Sequence, residues 1–74
     1  MSKEAKRNLM DLHRRLIRIG EYQVAKKILL LLRKGSILLG LCDTDWQVQC
    51  LLEDMGIPVI TTSRNGGWAR ARIA

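Results

Sequence analysis

Residues 57–74 constrain the fold most, because they predict a β-hairpin with two chemically different faces. Asn65-Gly66 separates two stretches of alternating side chains. Both central positions of a type I′ turn need positive φ, so Asn-Gly between such stretches is the strongest short-range hairpin signal. A hairpin of this length is marginally stable on its own. We therefore expect it to pack on the helical segments that precede it.

This turn also predicts the strand pairing, since the residues on either side of Asn65-Gly66 pair outward one by one. The face expected to pack on the core is mostly apolar and has the pairs Pro58–Ile73, Ile60–Ala71 and Thr62–Ala69. The opposite face has the pairs Val59–Arg72, Thr61–Arg70 and Ser63–Trp68. Alternation thus predicts that Arg70, Arg72 and Trp68 lie together on the solvent side.

The chain is short enough to form one small domain, 1–74, with a thin core. Phe is absent, and aliphatic residues dominate the apolar fraction. We expect a core of Leu and Ile, with Tyr22 and a Trp as its larger anchors.

Composition argues against several classes of protein. Cys42, Cys50 and His13 are too few for a four-ligand zinc site. Two reduced thiols are typical of a cytoplasmic protein, although the cysteine spacing also permits a disulfide. The apolar run 28–32 is too short to span a bilayer, and no signal peptide is evident, so we expect no membrane association. Since no nucleophile–base pair, metal set or phosphate loop is present, we expect neither enzyme activity nor a cofactor.

Three segments have helical periodicity and end at a glycine, the residue that most often closes a helix. They are a basic N-terminal helix at 1–19, a central apolar helix at 21–34 and a third helix at 44–55. Their expected core positions are Ala5, Leu9, Leu12, Leu16 and Ile19, then Val24, Ala25, Ile28, Leu29, Leu31 and Leu32, then Val48, Leu51, Leu52 and Met55.

Two local features complete the prediction. Residues 36–41 are apolar and ambiguous between a short strand, one helical turn and a reduced second helix of a helix-turn-helix, with the helical turn slightly favoured. Thr44 followed by Gln47 fits a capping box, which predicts Thr44 as the N-cap of the third helix. A hairpin at 57–73 then follows, giving an α+β domain.

Charge alternates along the chain. Residues 1–34 contain ten Lys/Arg and three Asp/Glu, residues 35–56 contain four acidic and no basic residues, and residues 57–74 contain three Arg and no acid. Two of the three parts are therefore suited to a polyanionic partner.

Several short motifs follow one another in a distinctive order. They are Leu39-Gly40-Leu41, Thr44-Asp45, Gly56-Ile57-Pro58 and the polar turn Ser63-Arg64-Asn65-Gly66-Gly67-Trp68. In this order, residues 36–74 resemble the winged helix-turn-helix DNA-binding fold of small bacterial and bacteriophage domains. The resemblance implies a three-helix domain with a C-terminal wing (the hairpin 57–73), and a role in regulation or replication control.

The third helix departs from that pattern. It is about one turn short, and it carries Asp45, Glu53 and Asp54, which phosphates would repel. We therefore expect the wing and the first helix to grip duplex DNA, with some base reading from the third helix. The residues expected to contact DNA are Arg64, Asn65, Trp68, Arg70 and Arg72 on the wing, Thr44, Gln47 and Gln49 on the third helix, and Arg14, Arg15 and Arg18 on the first.

Each functional interpretation has an alternative. The wing and first-helix arginines also fit solvated charged faces, and packing is the favoured role for both Trp46 and Trp68. A second function is a protein-interaction module, in which the exposed third-helix face around Trp46, Cys50 and Glu53 docks on a partner protein. A homodimer is a further option, since DNA readers of this size often pair and the apolar second helix leaves surface for a partner.

Overall fold

The computed structural model describes residues 2–74, so Met1 of the predicted segment 1–19 lies outside it. It confirms the α+β class, with three helices and a three-stranded antiparallel sheet in the described residues. In chain order the elements are α1 (Lys3–Arg18), α2 (Tyr22–Lys34), β1 (Ser36–Leu39), α3 (Asp43–Asp54), β2 (Val59–Thr61) and β3 (Ala69–Ile73). The sheet order is β1-β3-β2, which places the last strand in the middle.

The helices follow the predicted apolar stripes. Ser2 begins α1 as an N-cap, because its hydroxyl accepts a hydrogen bond from the Ala5 N–H at 3.1 Å. α1 packs along α2, and α2 and α3 pack on β1. The side chains at the centre are all aliphatic, and the largest that are fully buried are Leu9, Ile28, Leu31, Leu39, Leu52, Val24 and Val48.

Two residues predicted for the core lie outside it. Ile19 is 69% exposed, because α1 ends at Arg18 and the chain turns away after it. Tyr22 is 64% exposed in the first turn of α2, since aliphatic side chains already fill the space between the helices. The core therefore has no aromatic anchor among the described residues.

Residues 36–39 form a strand, so the favoured helical turn at 36–41 is wrong. β1 pairs with β3 along its whole length, with Ile37 opposite Ala71 and Leu39 opposite Ala69. These four residues are buried under the helices, whereas Leu38 is 45% exposed. A partner strand far along the chain thus decides a conformation that local sequence leaves open.

The start of α3 also differs from the prediction. Cys42, not Thr44, occupies the N-cap position, in extended conformation and without a side-chain capping bond. Asp45 is then the third residue of the helix, where a capping box has Glu or Gln. Its carboxylate reaches back past the cap to the Gly40 N–H, and the N-cap lies two residues earlier than Thr44-Gln47 indicates.

The hairpin is present, but its turn lies one residue further on. Gly66 and Gly67 are the central residues, with φ of 64° and 84°, while Asn65 and Trp68 exchange both backbone hydrogen bonds. Two glycines accept positive φ with less strain than Asn-Gly, so they take the turn. Thr62 donates to the Arg70 carbonyl, which leaves Ser63 and Arg64 opposite the single residue Ala69, a bulge.

The bulge reverses the two faces of the first strand of the hairpin relative to the prediction. Ile60 pairs with Arg72, and Val59 pairs with Ile73. Since a one-residue slip moves every side chain to the other face, Val59 packs toward the core and Ile60 is 46% exposed. The predicted faces of β3 are correct, with Ala69 and Ala71 buried and Arg70 and Arg72 exposed.

A pair of matched substitutions tests this register. Ile37→Ala should lower the free energy of unfolding by about 3 kcal/mol, because it opens a cavity in the core. Ile60→Ala should cost less than about 1 kcal/mol, because the side chain is half in solvent. Urea denaturation measures both. A larger loss at Ile60 than at Ile37 would contradict the observed pairing.

Candidate nucleic-acid interface

The outer face of the sheet is open, because α2 and α3 cover only the inner face. Strand alternation places five side chains on this outer face: Ser36 and Leu38 from β1, Ile60 from β2, and Arg70 and Arg72 from β3. None of the three strands contains an acidic residue. The result is a two-arginine centre line with apolar side chains beside it, which we call the outer sheet face.

Arg70 and Arg72 differ in their local partners. Nη1 of Arg70 donates to the Ser36 hydroxyl at 3.2 Å, which orients the guanidinium across β1. The Arg72 side chain is exposed, and it forms no hydrogen bond or ion pair with another residue within 2–74. Lys34 and Arg70 line the same groove, of about 360 Å³, at the β1 edge of the sheet. Three cationic groups therefore converge there, counting Lys27 of α2.

Arg64 and Trp68 hold the wing against the end of β1. Nη1 of Arg64 donates to the carbonyl oxygens of Gly67 at 2.9 Å, Leu39 at 3.3 Å and Gly40 at 3.5 Å. The Trp68 ring lies over Gly40, where an added Cβ would be only 3.0 Å from ring atom Cζ3. Trp68 thus contacts the chain just beyond the end of β1, while Arg70 and Arg72 lie further along β3.

The two tryptophans do not fill the core. Trp68 is 52% exposed and uses one ring edge for packing, so the packing role is only half realised. Trp46 is 64% exposed, which contradicts its favoured role as a buried residue. Its position on α3 lies well away from the stripe formed by Val48 and Leu52, because the helical rotation carries it toward solvent.

Asp45 is the buried charge of the domain and was predicted as surface acid. It is 2% exposed, and its Oδ2 accepts the Gly40 N–H at 2.7 Å. Its Oδ1 lies 3.2 Å from Nζ of Lys27, which also donates to the Leu38 carbonyl. Burial acts to raise the pKa of Asp45, but the Gly40 N–H, the Cys42 side chain and the Lys27 ammonium outweigh it and hold the pKa below its usual 3.8.

The remaining predicted contact residues do not share one surface. On α3, Thr44 is half-buried, Gln47 lines a groove beside Leu16 and Ile19, and Gln49 lines another beneath Val59 and Thr61. Gln47 and Gln49 thus open to different sides of the helix. Asn65 is exposed, but its backbone N–H and carbonyl are both used in the turn. Arg14, Arg15 and Arg18 are exposed on α1, which packs on α2.

The predicted partner-binding set is also divided. Trp46 and Cys50 line an apolar groove of about 460 Å³, which we call the Trp46 groove. Its other lining residues are Leu16, Ile19, Glu21, Val24, Gln47 and Leu51. Glu53 lies elsewhere on α3 and faces the groove below β2.

Sequence patterns gave no sign of Lys27, Lys34 or Ser36 as neighbours of the wing arginines. The strand at 36–39 brings them there, and that strand is specified by its pairing with β3. One available signal was Gly40, a glycine that ends no helix and lies between an apolar run and an acidic segment. Such a glycine indicates close approach of another group, here the Trp68 ring.

No helix within residues 2–74 has the length and apolar character needed to cross a bilayer. Cys42 and Cys50 are both free thiols. Comparison with protein-family models, with curated proteins and with solved structures finds no match.

The buried carboxylate predicts a defined pH dependence. Asp45→Asn should lower the free energy of unfolding by about 1.5 kcal/mol near neutral pH, since Lys27 loses its charged partner but stays partly solvated. Because the folded-state pKa is below the unfolded value, this stabilisation is complete above about pH 5 and is lost as the pH falls below about 4. Urea titrations of the parent chain and of Asp45→Asn across this pH range measure the difference between their free energies of unfolding, which we call the gap. Asp43→Asn, an exposed change in the same helix, is the control, and a gap that persists unchanged at low pH would contradict the assignment.

Replacing Arg64 and replacing Arg72 should have different effects on the stability of the domain. Arg64→Ala should cost about 1 kcal/mol of stability, because it removes hydrogen bonds to three carbonyls. It should also speed hydrogen exchange at the Trp68 amide, which the turn protects. Arg72→Ala removes the same side chain from solvent and should change stability by less than about 0.5 kcal/mol. Equal effects of the two changes would show that Arg64 does not hold the wing.

Proposed function

We propose that this protein is a winged-helix-like domain that binds duplex DNA through its outer sheet face. The observation that carries the proposal is the pair Arg70 and Arg72, which project from the middle strand of an uncovered sheet. Arginine is suited to bidentate phosphate contact, and no acidic side chain on this face would repel a phosphate. Lys34 extends the same positive surface along the edge of β1.

The buried state of Asp45 supports this proposal. An acidic third helix argued against DNA contact, but one of its four charges is enclosed and paired with Lys27. The charges that remain on its surface are Asp43, Glu53 and Asp54. They still make α3 a poor occupant of the major groove. The outer sheet face therefore supplies the phosphate contacts in this proposal, and α3 supports the sheet from behind.

The sheet topology is consistent with the suggested relationship to winged helices. The wing strands are β2 and β3, and β1 joins them on the far side of β3. One helix, α3, lies between β1 and the wing, in the segment that the resemblance assigns to the reading helix. No second helix lies between β1 and α3. We therefore expect little base reading, and binding governed mainly by phosphate contacts.

The exposed arginines of α1 have a secondary role in this proposal. They contribute to the overall positive field, which speeds encounter with DNA and weakens as salt rises. They make no close phosphate contact, because α1 packs on α2 rather than beside the outer sheet face. The salt dependence of DNA affinity can distinguish such a long-range charge effect from direct phosphate contacts.

Salt-dependent affinity for a short random-sequence duplex tests the proposal by fluorescence anisotropy. Arg70→Ala/Arg72→Ala should weaken binding about tenfold at low salt. It should also reduce the slope of log K against log salt by about 2, one for each lost phosphate contact. Both positions are exposed, so the fold should be retained and circular dichroism checks it.

Arg14→Ala/Arg18→Ala is the matched control, because it removes the same charge from α1. It should reduce the slope by less than half as much, since it alters only the field. Equal losses from both double variants would contradict a contact at the sheet. Affinity that stays flat as salt rises would contradict DNA phosphate binding altogether.

A further inference from the structure

Trp68 lies on the same side of the sheet as Arg70 and Arg72. Ala69, the first residue of β3, is buried against the helical layer. Trp68 precedes it directly, so strand alternation turns the indole to the outer side. The β1–β3 register, continued by one residue, sets Trp68 opposite Gly40, and the ring lies against Gly40. Trp68, Arg70 and Arg72 thus follow one another along the middle of the sheet at steps of about 7 Å, and we call them the β3 row.

The indole of Trp68 is held at one edge and open elsewhere. A Cβ added to Gly40 would lie 3.0 Å from Cζ3 and 3.2 Å from Cη2 of the ring, so only glycine fits at that contact. Arg64 stiffens the same place, because its Nη1 donates to the carbonyl oxygens of Gly40 and Gly67. Trp68 is nevertheless 52% exposed. A large flat ring that is already oriented loses little conformational freedom when a ligand stacks on it.

The neighbours of the ring select the chemistry of the ligand. Arg70 and Arg72 offer guanidinium groups, and no acidic residue belongs to the three strands. The acids nearest to Gly40 in the chain, Asp43 and Asp45, belong to α3, which packs behind the sheet. A ligand suited to the β3 row therefore combines flat apolar rings with negative groups at short, regular intervals. Nucleic acid has this chemistry, since bases stack on aromatic rings and phosphates bind arginine.

The form of the nucleic acid follows from which surfaces of its bases are free. In an intact duplex every internal base face is covered by the neighbouring base pairs, so a protein ring meets only base edges and the backbone. An unpaired nucleotide has a free face. We propose that Trp68 stacks on an unpaired base while Arg70 and Arg72 bind the adjoining phosphates, so that DNA with a single-stranded stretch beside a duplex is the preferred ligand. This inference rests on the proposed function, because it assigns the same surface a preferred form of DNA.

Three DNAs test the stacking contact by fluorescence anisotropy: a blunt duplex, the same duplex with a short thymine overhang, and the same duplex with an abasic overhang of equal length. The abasic overhang has the same phosphates without the bases. The parent chain should bind the thymine overhang about tenfold more tightly than the abasic one, as expected for one stacked base. Overhangs at the 5′ end and at the 3′ end are both measured, because the strand direction along β3 decides which is bound. Equal affinity for thymine and abasic overhangs at both ends would overturn the proposal.

Substitutions at position 68 separate stacking from packing. Trp68→Leu keeps an apolar contact with Gly40 but removes the aromatic face, so its preference for the thymine over the abasic overhang should fall below about twofold. Trp68→Tyr keeps a ring and should retain most of the preference. Thermal melting followed by circular dichroism checks that both variants fold. Equal preference in the two variants would show that the residue acts only through packing, and would overturn the proposal.

Trp46→Leu is the matched control, since it makes the same change at the other exposed tryptophan. Trp46 belongs to α3 and not to the sheet, so the overhang preference of this variant should equal that of the parent chain. Loss of the preference in Trp46→Leu would place the stacking site on α3 and overturn the assignment to Trp68.

A fluorescence variant reports on the ring directly. Trp46→Phe leaves Trp68 as the one remaining tryptophan. Its emission should fall as thymine-overhang DNA is added, because a stacked base quenches the indole, and should change little with the abasic overhang. Emission that stays constant while anisotropy reports binding of the thymine overhang would contradict stacking.

The blunt duplex separates this inference from the proposed function. Arg70→Ala/Arg72→Ala should weaken binding to all three DNAs and leave the affinity ratio between the two overhangs nearly unchanged, because the base contact is not ionic. A parent chain that binds blunt duplex with the expected salt slope, but does not distinguish the overhangs, overturns stacking alone. A parent chain that binds none of the three DNAs overturns both proposals.

Discussion

The buried carboxylate of Asp45 is the interaction on which the arrangement of the domain depends. It accepts the Gly40 N–H at the end of β1, it belongs to the first turn of α3, and it pairs with Lys27 of α2. One side chain therefore joins a strand and two helices across a connection of three residues. Because the carboxylate must reach Gly40, the connection stays short and α3 starts directly behind the sheet. The Trp68 ring also lies against Gly40, and Arg64 holds the wing there by donating to the carbonyl oxygens of Leu39 and Gly40.

Periodicity predicted the helices well and the sheet less well, for a physical reason. The stripes of α1, α2 and α3 are local patterns, so Leu9, Ile28 and Val48 could be assigned to the core from sequence. β1 is specified by its pairing with β3, whose residues lie 30 to 36 positions later in the chain. The hairpin register depended on the bulge at Ser63-Arg64, and that extra residue moved Ile60 from the core face to the surface. Of the predicted site, Arg70 and Arg72 were placed correctly because β3 keeps its alternation. Arg64 and Asp45 were misplaced because their partners are backbone groups, which sequence patterns do not reveal.

The domain separates its charges by layer. The outer sheet face carries arginines without acid, whereas the surface of α3 carries acid without base. One acid that would have spoiled this separation is enclosed and neutralised by Lys27. The outer sheet face thus carries only positive charge, whereas the helical layer combines the acid of α3 with the basic residues of α1 and α2. If the protein binds a polyanion as proposed, we expect the uniformly positive sheet face to be favoured over the mixed charge of the helical side.

The bulge at Ser63-Arg64 has a consequence for how this sequence can change. It supplies one extra residue between the turn and β2, which shifts the register of β2 against β3 by one. The inward side chains of β2 are therefore Val59 and Thr61. Deleting a single residue there would restore a flush hairpin and exchange the two faces of β2, bringing Ile60 inward. A valine and an isoleucine stand on opposite faces of the same short strand, and either suits a core position. We therefore expect the fold to survive deletion of one residue at the bulge, because either face of β2 offers an aliphatic side chain to the core.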